Sequence, residues 1–226
     1  MKQSEMLYQH VQDLWREAAD KPFVKEMAKG SLDPDRFHYY MIQDYMYLQD
    51  YIKLLEKAQE YTKNPELISF LNSVIVETKG EAGRVHEKYF VSHAGDLSRH
   101  QHILSSVYDK KEPILTEYVA YMNRQLNKEG LLAGLTALLQ CSWVYAYIGQ
   151  TCMERYAKDI MTSPYRDWFS AYTCQDYLDA NQAWIRAVDK LAIAISPEAS
   201  DKLCRIFANC AGYENRFWDR LAQVNL

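Results

Sequence analysis

The stretch Gly130–Met153, GLLAGLTALLQCSWVYAYIGQTCM, carries no charged residue in 24 positions. That is the length of a membrane span. Thr136, Gln140, Ser142, Gln150 and Thr151 weigh against a span, because five such groups are costly in hydrocarbon. Every other long segment of the chain is amphipathic. A helix apolar on all sides in a soluble protein is a central core helix, and the fold is read outward from it. Near its middle stands Cys141, with Tyr145 four residues on, so thiol and phenol share one helical face. Taken alone, a buried Cys is an inert small hydrophobe.

Helical periodicity dominates on both sides of this core. No period-2 alternation is sustained and no Asn-Gly or Asp-Gly turn occurs, so strands are not expected. The predicted helices are Ser4–Ala19, Phe23–Ala28, Pro34–Tyr61, Pro65–Val91 and Pro113–Leu126. The central run follows, then a polar segment from Glu154 to Ser163, a long helix over Tyr165–Ile195, and a last helix opened by Ser196-Pro197-Glu198. Asp33-Pro34 and Ser196-Pro197 each place a capping oxygen ahead of a proline at the first helical position. Residues His93–Lys111 are the least regular, and His100 and His102 read as exposed there. The fold class is all-α, a helical bundle in a single domain over residues 1–226.

The totals narrow the function. Net charge is −4 and no Lys/Arg stripe appears, which argues against nucleic acid as the main partner. Five cysteines without Cys-x-x-Cys spacing fit neither a disulfide framework nor a zinc site. The first twenty residues lack the apolar core of a secretion signal, so the expectation is a reduced, cytoplasmic protein. Eighteen tyrosines, apolar rings with polar tips, suggest a polar-lined pocket, although most must serve helix packing.

Two carboxylates sit where the apolar pattern calls for hydrocarbon. Asp44 lies in the stripe Phe37, Tyr40, Met41, Tyr47, Leu48, Tyr51, Leu55, and Glu214 lies in the stripe Leu203, Phe207, Cys210, Phe217, Trp218, Leu221. A buried carboxylate needs partners. Asp44 hydrogen-bonded to core tyrosines or to a helix N-terminus is one reading, and a pocket carboxylate beside Tyr47 is the other. A Glu in the core without a cation favours its protonated form, the form that general acid catalysis uses. Tyr118, Tyr145 and Tyr172 also fall on inward faces. Glu77, Glu81 and His86 invite a metal reading. The chain contains no Glu-x-x-His pair of the di-iron kind, so no metal is expected and these side chains read as a solvated face or helix-end caps. No His is expected beside the inward-facing reactive groups. The coincidence of Asp44, Cys141, Glu214 and inward phenols points to a pocket with thiol chemistry.

Three segments carry a resemblance. Tyr40-x-x-Gln43-Asp44-x-x-Tyr47-Leu48 resembles the YxxQDxxYL segment of the TenA proteins, also called thiaminase II or aminopyrimidine aminohydrolase. Leu138-Leu139-Gln140-Cys141-x-Trp143-x-Tyr145-x-x-x-Gly149 is similar to that family's LLPCxWxYxxxG, with Gln140 where Pro is frequent. Tyr213-Glu214-x-x-Phe217-Trp218 matches its YExxFW ending. The resemblance implies an all-α fold like that of heme oxygenase but without heme or other cofactor, and a homotetramer. It implies hydrolysis at the 5-methylene of 4-amino-2-methylpyrimidines, with an aminomethyl pyrimidine or thiamine as substrate, in thiamine salvage. Carried over, Cys141 is the nucleophile and Glu214 the acid–base group. Asp44 grips the amino-pyrimidine edge, and Tyr47, Tyr118, Tyr145 and Tyr172 line the ring. The competing readings are a non-catalytic ligand-binding or regulatory bundle and a heme or di-iron oxygenase, for which His10 is a conceivable heme ligand, although a lone helical His is usually a surface residue.

Overall fold

A computed structural model of the chain describes residues 1–81, 86, 89 and 110–224. Among the described residues every regular element is helical: α1 (Gln3–Asp20), α2 (Pro22–Ala28), α3 (Pro34–Gln59), α4 (Pro65–Glu81), α5 (Pro113–Glu129), α6 (Leu131–Thr162), α7 (Arg166–Thr173), α8 (Gln175–Leu191) and α9 (Pro197–Gln223). By its internal packing the chain forms two compact units, Met1–Leu32 with the chain from Ala120 onward, and Asp33–Val119. The predicted helix end at Val91, and His100 and His102, lie outside the described residues.

In the first unit α6 is the core helix. It packs against α1, α2, α7, α8 and α9, and 67% of its most apolar window is buried inside the protein. Its length and composition alone would let it cross a membrane, but burial of that kind is what a core helix shows. Gly130 precedes it with φ +88, a backbone region that favours glycine. Gly149 lets α7 approach, since a Cβ there would sit 2.9 Å from Thr173 Cγ2. The helix does not stop near Met153. It continues to Thr162 through a kink at Tyr156 (φ −127, ψ 23). The polar residues Glu154, Arg155, Lys158 and Asp159 are exposed, so composition changes where the helix leaves the core while the backbone stays helical.

The predicted helix Tyr165–Ile195 is two helices. Cys174, extended at φ −67 and ψ 152, separates α7 from α8. No proline or glycine marks this break, and the apolar period carries across it.

Helix α1 has no side-chain cap of its own. A carboxylate from α8 takes that role: Asp189 Oδ1 accepts from the Ser4 amide and Oδ2 from the Ser4 hydroxyl, each at 2.8 Å. Ser200 Oγ donates to Gln3 Oε1 at 2.6 Å, tying the same end to α9. At the other end Lys21 is buried and bridges Glu17 (2.7 Å) and Asp219 (2.8 Å). Burial opposes the charge on Lys21, yet the two carboxylates prevail and its pKa is raised. Between these ties Trp15 meets Trp143 edge-on with ring centres 5.3 Å apart, and Tyr147 at the same distance.

In the second unit α3 packs on α4. Asp33 Oδ1 accepts from the Asp35 amide at 2.8 Å and caps α3, as the Asp-Pro signal predicts. Asn64 does the same for α4, accepting from the Glu66 amide at 2.9 Å. Across the pair, Gln59 donates to Asn72 Oδ1 at 2.7 Å and Lys79 meets Glu56 at 2.9 Å.

The α1 cap gives a direct test. Asp189→Ala removes both acceptors and strands a helix-terminal N–H, which costs about 2 kcal/mol. Thermal unfolding should start about 4–8 °C lower, with Asp189→Asn in between.

Candidate active site

The seven predicted residues fall into two sets, one in each unit. In the second unit, α3 carries Asp44 and Tyr47 one turn apart, and α5 carries Tyr118. Tyr47 and Tyr118 stack with ring centres 5.6 Å apart and planes at 20°. Their pairing depends on where α5 begins, and Gln43 fixes that point. Its Oε1 accepts from the Glu112 amide at 2.7 Å, and its Nε2 donates to the Lys110 carbonyl at 3.1 Å. Tyr39 donates to the Glu112 carboxylate and Lys111 pairs with Asp50. Burial raises the Asp50 carboxyl, but hydrogen bonds from Lys111 and Lys53 outweigh it and the pKa is lowered. Adjacent residues of α3 thus divide the work: Gln43 anchors the entry to α5, and Asp44 faces its own partners.

Asp44 is 4% exposed. Its Oδ2 accepts from Tyr40 Oη at 3.2 Å, one turn back on α3, and from His86 Nε2 at 2.9 Å. Its Oδ1 carries no hydrogen bond among the described residues. The His86 contact corrects the sequence reading. His86 is fully buried rather than part of a solvated face, and it stands beside an inward-facing reactive group where no His was expected. The partnership joins residues 44 and 86, so neither spacing along α4 nor distance from Glu81 reveals it. The available signal was the unmet need of a buried carboxylate for donors.

In the first unit α6 presents Cys141 and Tyr145 on one face, as their spacing predicts. Tyr145 is the hub: its ring centre lies 5.0 Å from Tyr172, 5.9 Å from Trp168 and 5.8 Å from Trp218. Trp168 and Tyr172 come from α7, and Trp218 comes from α9 four residues beyond Glu214. Glu214 is 3% exposed and shares the α9 face of Trp218, so the faces bearing thiol and carboxyl meet through Tyr145 and Trp218. Trp168 and Trp218 were not singled out as site residues, because aromatic residues on an apolar stripe read first as packing. A surface cleft of about 440 Å³ in this unit, lined by Tyr8, Trp15, Trp143 and Tyr147 among others, contains none of the seven predicted residues.

All five cysteines are free thiols. Cys141 keeps 9% exposure, while Cys152, Cys204 and Cys210 keep none. Burial pushes the Cys152 thiol up to about 12 and also raises Cys204. His10 is exposed and its Nδ1 lies 3.1 Å from the Met6 carbonyl one turn back, an ordinary surface arrangement.

Two outcomes follow from these arrangements. With iodoacetamide at pH 8, peptide mass mapping should find exposed Cys174 and then Cys141 alkylated while Cys152 and Cys204 stay unmodified, since a thiol held near 12 supplies almost no thiolate. Gln43→Leu leaves the Glu112 N–H and Lys110 carbonyl without their partner, which destabilises by about 1–3 kcal/mol. Chemical denaturation followed by circular dichroism measures that loss.

The comparisons with known proteins agree with one another. The family model described as TENA/THI-4/PQQC matches residues 8–223. An aminopyrimidine aminohydrolase of Helicobacter pylori is 26% identical over 225 residues, covering 99% of this chain and 100% of that protein. The aminopyrimidine aminohydrolase of Bacillus subtilis strain 168 is 25% identical over 218 residues, covering 96% and 89%. Among solved structures, a TenA homologue from P. horikoshii OT3 superposes with a TM-score of 0.78 at 23% identity, covering 98% of each chain. A TenA family transcription regulator from Silicibacter sp. TM1040 gives 0.83 at 21%, covering 99% and 97%. These structures share the all-α fold, and the family model spans nearly the whole chain: the protein belongs to the TENA/THI-4/PQQC family.

Proposed function

We propose that the protein is a hydrolase acting at the 5-methylene carbon of 4-amino-2-methylpyrimidines, converting the aminomethyl compound to the hydroxymethyl pyrimidine and ammonia, and cleaving thiamine at the same carbon. The observation that carries this reading is the state of Asp44. One carboxylate oxygen is loaded with two donors, and among the described residues the other receives none. A buried carboxylate so arranged accepts an N–H from a ligand, and an exocyclic amino group supplies one. The names of the relatives from Helicobacter pylori and Bacillus subtilis support the same substrate class.

The chemistry follows from the groups present. An aminopyrimidine is a poor electrophile until a ring nitrogen is protonated or hydrogen-bonded by an acid, and Glu214 supplies that acid. The Cys141 thiolate adds to a ring carbon. The displaced electron pair moves through the ring and expels the leaving group from the methylene, as ammonia or as the thiazole. Water adds to the exposed methylene, gives up its proton to the acid–base group, and the thiolate departs as the ring regains aromaticity. In this reading Tyr145, four residues from Cys141 on the same face, hydrogen-bonds the thiol, and the family resemblance assigns Tyr47, Tyr118 and Tyr172 to the ring. A homotetrameric assembly, a fold like that of heme oxygenase and a cytoplasmic place in thiamine salvage belong to the same proposal and rest on the family resemblance.

The test is ammonia release from 4-amino-5-aminomethyl-2-methylpyrimidine, with thiamine as second substrate. Wild type should turn over, and Cys141→Ser should lose on the order of a thousandfold or more in kcat while keeping its fold. Well-folded wild type that releases neither ammonia nor thiazole would turn the assignment to a non-catalytic ligand-binding protein.

A further inference from the structure

We propose that His86 is a positioning residue: it holds Asp44 so that Oδ1 alone is presented to the ligand's amino group. The inference rests on the aminopyrimidine reading for its ligand and on the geometry of the ligand-free protein for everything else.

The terminal torsion of an Asp side chain is broad and two-fold, so rotamer preference does not decide which oxygen points where. Partners must decide it. Tyr40 is one donor, at 3.2 Å, but it comes from the same helix. His86 is the second, at 2.9 Å, and it reaches Asp44 from beyond α4. Both donors converge on Oδ2. An ionised carboxylate only accepts, so the imidazole carries its proton on Nε2 and donates it. Two donors from different directions fix the carboxylate plane and commit Oδ1 to whatever enters. Among the described residues Oδ1 receives no protein donor, and it is not one of the fully enclosed polar atoms that lack a partner, so it is the oxygen open to an entering ligand. His86 itself has no exposed surface, so its part is played through Asp44 and not on substrate.

Two measurements test this. In the ligand-free protein, 15N NMR of the histidine side chains should place the His86 proton on Nε2, and Asp44→Asn should shift that signal. Binding is then compared for 4-amino-5-hydroxymethyl-2-methylpyrimidine and for its analogue lacking the 4-amino group. His86→Leu should weaken the amino ligand about tenfold or more and leave the analogue within twofold of wild type. His86→Gln, whose amide nitrogen reaches the same place, should recover most of the loss and show near-native thermal stability. A proton on Nδ1, equal losses for the two ligands, or Gln and Leu variants behaving alike would overturn the proposal. Absence of turnover in wild type removes the hydrolase reading alone, because the NMR measurement decides the His86–Asp44 pair without any substrate.

Discussion

Burial of α6 is the constraint on which the first unit depends. A helix with no charge over its first 23 residues needs cover on most of its surface, and each large side chain it hides stabilises the fold by about 1.5–3 kcal/mol. Covering it takes α1, α2, α7, α8 and α9 together. The same demand places Cys141 and Tyr145 in the interior, because they are part of what must be covered. The thiol's surroundings are therefore a by-product of the core, and the aromatic residues that enclose Tyr145 are also those that exclude water from it.

Both units bury polar side chains. In the first, some are spent at helix ends, with Asp189 on the first turn of α1 and Lys21 between Glu17 and Asp219, and others, Glu214 and Gln140 among them, lie mid-helix. In the second, they lie mid-helix, where Gln43 and Asp44 turn adjacent polar groups into a buried network with Tyr40, His86 and the chain around Glu112. Mid-helix polar groups destabilise unless each finds a partner. In this network Oδ1 of Asp44 is an acceptor that no donor among the described residues fills.

Much of this was legible in the sequence. Asp44 and Glu214 stood out because each interrupts an apolar stripe, and both are buried. Cys141 and Tyr145 stood out because four residues separate them. The helix starts at Pro34 and Pro197 follow from capping chemistry that is local by nature. What stayed hidden was non-local or unpunctuated. His86 meets Asp44 through tertiary structure, and periodicity along one helix is blind to that. Gln43 belongs to a recognisable motif, but its role in fixing α5 depends on backbone groups 67 to 69 residues away. The break at Cys174 has no helix-breaking residue, and the extension of α6 to Thr162 was masked by a change from buried to exposed surroundings.

The aromatic packing around Tyr145 has an optical consequence. Trp168 and Trp218 both touch Tyr145, and so stand on the face that carries the candidate nucleophile, whereas Trp15 and Trp143 form a separate edge-on pair. Four of the five indoles thus fall into two groups in different surroundings. Light absorbed by Tyr145 passes to its indole neighbours, so emission from Trp168 and Trp218 carries a contribution from the surroundings of the thiol, while Trp15 and Trp143 border the surface cleft with Tyr147. Part of the intrinsic fluorescence therefore originates at the Tyr145 cluster, without a label.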